Sequence, residues 1–537
     1  MFKFLLNRNF KIKHLILFLV ALLFGICHML SPVFAPLGGH ELNIYRLPVG
    51  LAIFLFAVIT LLYATNWYQL KQSNKTEKKF SNVILFFSVF FLIFLVGIFW
   101  LIIYYPGVGN VDSAAIIKSN GIKGKYIATQ HPWFYCFIIQ SLVKIVHFFG
   151  GDYGTAFAAE GIIQILIAAA VSGHCLVWLN KKGIAKLSLL LIASVYIFCP
   201  ILNLYFVSLF KDVPFSYMLL EWAMLLYDFW ESKGESLEKN STFVSMVILL
   251  FLSLIRNNGI YISALILLSM LILIRRKWRK IASLILVLFV VVTGSRMVET
   301  YNSITHLFKE TVGIPLYQIS ATVYQGGEIS KEQAEFIEKI IPIDYIKNHY
   351  NPYTLDTWKW SKEMDNVFLN NNKSEFIKVW AEMLRPNLKI YVSSYLQGTY
   401  GFWSTSNNIR NLERHSTIIA SGHEPWFAGQ NIPVKAILSE EKQVKIETLT
   451  YNATESLSEG QLFWLFMMIL MALCLIKEKG IWIVAVPVLA GWLTIMIATP
   501  VAFAWRYILF IPLTLPWLVG LLMLPKNNFN IKVGDIN

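Results

Sequence analysis

The chain repeatedly runs for about twenty residues without a charge, the length a helix needs to cross a bilayer. Residues 82–103 are the clearest case, reading NVILFFSVFFLIFLVGIFWLII between polar flanks. A chain with many such runs must satisfy its backbone internally in lipid, as helices do. The expected class is an all-α polytopic membrane protein. Composition agrees: 56% of the 537 residues are hydrophobic and only 15% are charged, against about a quarter charged in soluble domains.

Spans are predicted near 14–34, 47–65, 82–103, 157–178, 187–207, 213–230, 242–255, 259–274, 281–295, 461–476, 481–498 and 505–524, about twelve in all. The net charge of +14 would suit nucleic acid if it were clustered on a soluble surface. Instead residues 296–460 hold 16 basic and 19 acidic side chains, net −3, while the remainder holds 30 and 13, net +17. That excess sits mostly in short connections, as the positive-inside rule expects of cytoplasmic loops. Lys71, Lys75, Lys78 and Lys79 mark one such loop. Lys181, Lys182 and Lys186 mark a second, 275–280 a third, and Lys477 with Lys479 a fourth. The pattern predicts both termini on the cytoplasmic side of the membrane. It predicts membrane lipids, and no nucleic acid, among the partners.

Segment 131–149 is apolar but carries Lys144 and His147. Counting it as a span would reverse the sidedness of the basic loops, so it is expected to be re-entrant or interfacial. The organisation is then an N-terminal two-helix addition with its loop (1–80), a transmembrane core (81–295) whose outward loop is 104–130, a mainly α outward domain (296–460), and a three-helix C-terminal segment (461–537). The apolar run after Lys3, Arg8, Lys11 and Lys13 reads as a retained signal anchor. In the outward domain, Ser330 and Gln333 form a capping-box pattern, and Pro386 should split the helical stretch 375–396. Its aromatic residues, Trp358, Trp360, Trp380, Tyr391, Tyr395, Tyr400 and Trp403, suit a small core and interfacial belt, or alternatively a sugar- or lipid-facing surface. The five cysteines all fall in apolar runs, which indicates neither a disulfide framework nor a thiolate zinc site.

On this topology, the polar groups most costly near lipid collect on one side. Asp112 follows the span 82–103, and His131 opens the next apolar segment in His131-Pro-Trp133. Lys211-Asp212 lies at the following outward turn, Arg256-Asn257-Asn-Gly259 between two short spans, and Arg506 at the start of the last span after Thr499-Pro500. His131 reads first as a helix cap before Pro132. Lys211 reads as a partner of Asp212. Glu160 and Glu221 are expected to pair inside the bundle. A glycosylation sequon occurs at 452–454.

These residue types suit sugar transfer from a lipid phosphate to a hydroxyl. A carboxylate such as Asp112 can take the acceptor proton. Cations such as Lys211, Arg256 and Arg506, with His131 and Asn257, can bind the phosphate and stabilise it as it leaves. Asp212 could help hold a divalent ion such as Mg²⁺ or Mn²⁺. The phosphate-loop, zincin and nucleophile-elbow motifs are absent from the sequence.

The ordered set Tyr105-Pro-Gly, Asp112-Ser113, His131-Pro132, Lys211-Asp212, Arg256-Asn-Asn-Gly259, Ile314-Pro-Leu316, Tyr350-Asn-Pro352 and Arg506-Tyr507 resembles the GT-C superfamily of multi-spanning glycosyltransferases. It is closer still to a bacterial multi-pass membrane-protein family of GT-C-like organisation. That resemblance implies a polyprenyl-phosphate-sugar donor and an extracytoplasmic cell-envelope acceptor: a glycan, a teichoic acid or a glycolipid. It gives Asp112 the position of the catalytic base and Asp212 the second acidic position, which supports a metal in some members. The chain departs from the pattern at Trp133, where relatives often have a second proline. It also lacks a further acidic motif in its late outward region. Two other classes fit the composition, a polytopic transporter or lipid flippase, and a non-catalytic envelope assembly protein.

Overall fold

The computed structural model describes residues 8–36, 41–72, 79–118, 131–304, 306–406, 427–432, 458–498 and 501–525, with a few single positions between 434 and 446. Lys3, Lys75, Lys78, the second half of the loop 104–130, the sequon at 452–454 and Thr499-Pro500 lie outside the described residues. Among the described residues there is no β-strand, only isolated bridges. The chain is an all-α membrane protein.

The first helices are α1 (Arg8–Leu30), α2 (Arg46–Gln72) and α3 (Asn82–Ile103), followed by the short α4 (Val111–Lys118) and α5 (Trp133–Phe148). Then come α6 (Tyr153–Lys182), α7 (Lys186–Phe198), α8 (Pro200–Phe206), α9 (Asp212–Glu231), α10 (Asn240–Leu252), α11 (Gly259–Leu273) and α12 (Trp278–Tyr301). The segment expected to face outward is built around α13 (Gly313–Tyr324), α14 (Lys331–Ile340), α15 (Lys373–Leu384) and α16 (Leu388–Gly398). The bundle closes with α17 (Glu459–Ile476), α18 (Val486–Ala498) and α19 (Phe510–Leu522).

Eight of the described helical stretches are long and apolar enough to cross a membrane, and nine if α7 and α8 form one bent span. Helices stand at all twelve predicted places, but three fall short of that standard. The helix α9 carries Asp212, Glu221, Asp228 and Glu231, while α10 and α11 have only 13 and 15 residues. The 52° bend between α7 and α8 falls at Pro200, whose missing amide and fixed φ interrupt the helix. The segment after His131 is a 16-residue helix, α5.

Local signals set several boundaries. Asp152 caps α6 by accepting from the Thr155 amide, and Gly183 ends it in the left-handed region at φ 93°. The Ser330–Gln333 capping box forms as the sequence predicts, and Pro386 separates α15 from α16. This segment has its own core, in which Trp358 and Tyr391 are buried. Tyr400 and Trp403 are buried in the membrane core instead. Of the domain's aromatics, Trp360 remains substantially exposed, so most of this group is packing rather than a surface.

The helix ends segregate by charge. At one end, Lys13 donates to Lys477 O, Lys79 to Lys181 O, and Trp230 Nε1 to Lys479 O. Lys182 sits between Asp228 and Glu231, and Lys277 between Glu235 and Glu238. The basic loops of the sequence therefore meet at one end of the bundle. Asp112, His131, Lys211, Asp212, Arg256 and Arg506 stand at the other.

Candidate functional site

Two tight turns bring the first residues together. The loop before α4 bonds through its backbone to the turn before α9: Val108 N donates to Val207 O at 2.8 Å and Leu209 N to Val108 O at 2.9 Å. Glycines permit this approach. Gly107 has φ 137°, and a Cβ on Gly109 would lie 2.5 Å from the Phe157 ring. Asn110 and Ser113 then cap α4 reciprocally. Asn110 Oδ1 accepts from the Ser113 amide at 3.1 Å, and Ser113 Oγ accepts from the Asn110 amide at 3.2 Å. Ser113 Oγ also donates to Leu209 O at 2.8 Å. Asp112 is thus fixed in the first turn of α4, beside Lys211 and the start of α9.

Asp112 Oδ2 accepts from Arg506 Nη1 at 3.2 Å, and its Oδ1 lies 3.9 Å from His131 Nε2. His131 Nδ1 faces Lys211 Nζ at 3.3 Å. An ammonium only donates, so Nδ1 accepts and the ring proton is assigned to Nε2. That Nε2 is buried with no hydrogen-bond partner among the described residues. The ring does not cap a helix: Pro132 occupies the N-cap position of α5, and no side chain bonds there. The capping expectation therefore fails, because the histidine turns inward to the lysine.

Asp212 opens α9 and is 2% exposed; its Oδ1 meets Arg256 Nη1 at 2.7 Å. Asp212 is also the foremost negative charge acting on Lys211, as the sequence suggested, and the Lys211 ammonium faces His131 as well. Arg256 occupies the break between α10 and α11, a turn that requires Gly259, where a Cβ would lie 2.1 Å from Ser253 O. Asn257 is exposed and joins none of these described contacts. Its neighbour Asn258 donates to Thr494 Oγ1 at 2.7 Å.

The sequence reading missed Tyr507 as a site residue. Its ring lies 5.3 Å from the Arg256 guanidinium carbon and 5.0 Å from that of Arg506, and its hydroxyl accepts from Arg506 Nη2 at 3.3 Å. Phe215 flanks Arg256 at 5.7 Å and Phe210 flanks Arg506 at 5.4 Å. The signal was the aromatic beside a cation in Phe210-Lys211 and in Arg506-Tyr507. Glu160 pairs inside the bundle as expected, with Gln164 and the Tyr135 hydroxyl.

The electrostatics follow from this packing. Burial pushes the Asp112 carboxyl up, but Arg506, His131 and Lys211 outweigh it and hold it below the usual carboxylate range. For His131, burial together with the Lys211 ammonium pushes the imidazole down to about 3, so it is neutral at physiological pH. The described cluster then has three cations, Lys211, Arg256 and Arg506, against two carboxylates. Arg506 Nε is also buried without a hydrogen-bond partner. Buried unbalanced cations are costly, and an anion seated among them would remove that cost.

A divalent ion fits these donors poorly. Asp212 and Asp112 each already meet an arginine. Among the described residues, no group of three His, Cys, Asp or Glu side chains is placed to hold a metal.

The sequence profile of a family of unknown function (DUF6020) matches residues 122–529. The chain belongs to that family. The match includes His131, Lys211, Asp212, Arg256 and Arg506, and it begins beyond Asp112. No curated protein and no solved structure matches the chain.

Proposed function

We propose that the chain is a bacterial cell-membrane glycosyltransferase of GT-C type, moving a sugar from a polyprenyl-phosphate carrier to an extracytoplasmic envelope acceptor. One observation carries the reading. Residues from five stretches converge on one cluster in which three cations face two carboxylates, and one of those carboxylates, Asp112, keeps its side chain 35% exposed. A phosphodiester linked to a sugar supplies the matching anion, and the accessible carboxylate supplies a base.

In the proposed reaction, Asp112 accepts the proton of the acceptor hydroxyl as its oxygen attacks the anomeric carbon. The bond from that carbon to the phosphate oxygen breaks, and the lipid phosphate leaves with the electron pair. Arg506, Arg256 and Lys211 meet its charge. Phosphate competes with Asp112 for Arg506, since guanidinium pairs with either group. Loosening that pair raises the basicity of Asp112 when donor is bound, which moves it toward the range where a general base is effective. The test uses vesicles holding the full chain and a labelled polyprenyl-phosphate sugar. Asp112→Asn should abolish labelled product at equal protein level; unchanged transfer would rule out this role.

A second reading is a transporter or lipid flippase. The bend at Pro200 and the Arg256–Gly259 break favour it, because transporters often site substrates at interrupted helices. Movement of labelled lipid between leaflets with no covalent product would select it.

A further inference from the structure

Well away from the Asp112 cluster, two ionisable residues meet between α6 and α9. His174 Nδ1 lies 2.9 Å and 3.2 Å from the two Glu221 carboxylate oxygens. The pair is not enclosed: the His174 side chain is 50% exposed and that of Glu221 is 20% exposed. The His174 Nε2 has no partner among the described residues. Glu221 lies near the middle of α9, about 14 Å from Asp212 along a helix rising about 1.5 Å per residue. Nine residues are about two and a half turns, so Glu221 faces away from the side of α9 that carries Asp212. The pair therefore takes no part in the cluster, and it points outward at membrane depth.

Ionisable groups inside a membrane almost always face the bundle interior, a wet cavity or another polar group. Hydrocarbon tails cannot satisfy the outward imidazole nitrogen or the exposed carboxylate edge. Further along α6, Ile163 and Leu166 are exposed about 16 Å and 12 Å from His174 along the axis, and Leu225 is half-buried between Glu221 and Asp228 on one stripe of α9.

We infer that the His174–Glu221 face is the contact surface for a second copy of this chain in the membrane. Charge complementarity selects that occupant. The face carries one imidazole and one carboxylate, so it complements itself. The two groups touch and hence lie at one depth. A two-fold axis along the membrane normal brings His174 of one copy to Glu221 of the other at that depth, and the reverse, while both copies keep one orientation. Leu225 beside the pair and the exposed Ile163 and Leu166 further along α6 supply apolar packing for helix association in lipid. The inference stands whether or not the chain transfers sugars.

The test is disulfide trapping of the full chain in native membranes. The partly exposed cysteines are first changed (Cys27→Ser, Cys199→Ser, Cys474→Ser). Leu225→Cys should then give a covalent dimer on mild oxidation. Phe99→Cys, on a lipid-exposed face of α3, should not. Adding His174→Leu with Glu221→Leu, which removes both charges together, should weaken dimerisation roughly tenfold, the scale of one or two intramembrane hydrogen bonds. Equal trapping at Leu225→Cys and Phe99→Cys would overturn the inference. So would a Leu225→Cys adduct that mass spectrometry shows to contain a different protein, or trapping that the double replacement leaves unchanged.

Discussion

The two ends of α9 hold the same kinds of charge in opposite states. At its last turn, Asp228 and Glu231 share Lys182, whose side chain is 17% exposed while the carboxylates are 32% and 28% exposed. The ammonium also lies 5.0 Å from the Trp178 and Tyr227 rings. Close by, Glu235 and Glu238 take Lys277. Among the described residues here, carboxylates match or outnumber the lysines they bind, and the groups reach the surface. At the first turn of α9, Asp212 and Arg256 are buried at 2% and 10% exposure, and cations outnumber carboxylates. The first arrangement suits a helix end fixed at a membrane boundary. In the second, three cations stand against two carboxylates, a balance that the proposed anionic donor would restore.

The comparison makes a large prediction about stability. Asp212→Asn leaves Arg256 buried without its counter-charge, and removing one partner of a buried pair costs about 3–5 kcal/mol. Asp228→Asn leaves Lys182 with Glu231 and with solvent, so it should cost less than about 1 kcal/mol. Unfolding by detergent titration in mixed micelles measures both. Equal losses would break the contrast between the two ends. Activity should separate the ends as well. Asp112→Asn should lower transfer at least ~100-fold, the scale of a lost general base, whereas Glu231→Gln should leave it unchanged.

How far the sequence announced this contrast depends on the kind of information needed. Apolar run length placed α3 at residues 82–103 with both ends correct, because no other force competes there. The gathering of Asp112, His131, Lys211, Asp212, Arg256 and Arg506 followed from alternation alone, since each lies at an expected outward end. The pairings followed only in part. Asp212 acts on its neighbour Lys211 as expected, but the contacts of Lys211 with His131 and of Asp212 with Arg256 have no sequence signal. The Arg256 turn shows the same limit. A shift of one residue decides that Asn258 bonds inward while Asn257 faces out, and no one-dimensional pattern carries that phase. The twelve-span expectation treated α9 as an ordinary span, although its four carboxylates serve three different surroundings.

Smaller effects should sharpen the picture around Tyr507. Its ring faces both arginines of the cluster, so Tyr507→Leu removes two cation–π contacts, together worth about 1–2 kcal/mol. Tyr507→Phe keeps both ring contacts and loses only the hydroxyl that accepts from Arg506. Donor affinity, read as KM for the labelled carrier, should therefore worsen much more for Leu than for Phe. Equal effects would show that the hydroxyl, not the ring, sets the spacing of the guanidiniums.

The smallest effect at neutral pH concerns His131. Folding lowers its pKa from 6.5 to about 3, so the unfolded chain takes up a proton in that interval that the folded chain does not. Stability is then full above about pH 6.5 and falls as pH drops toward 3, since stability rises with pH wherever the unfolded state binds more protons. Asp112 acts in the same direction at lower pH. Its depressed pKa adds stability that is present above the unfolded value of about 3.9 and is lost as pH falls through the folded one. His131→Gln removes the first contribution and keeps an amide where the ring stood. At pH 7 the variant and the parent should differ little. Between pH 6 and 5 the parent should lose stability faster, by less than one proton's worth of slope. Parallel pH profiles for His131→Gln and the parent would mean that the imidazole is hydrated, and that the cluster is wetter than its packing implies.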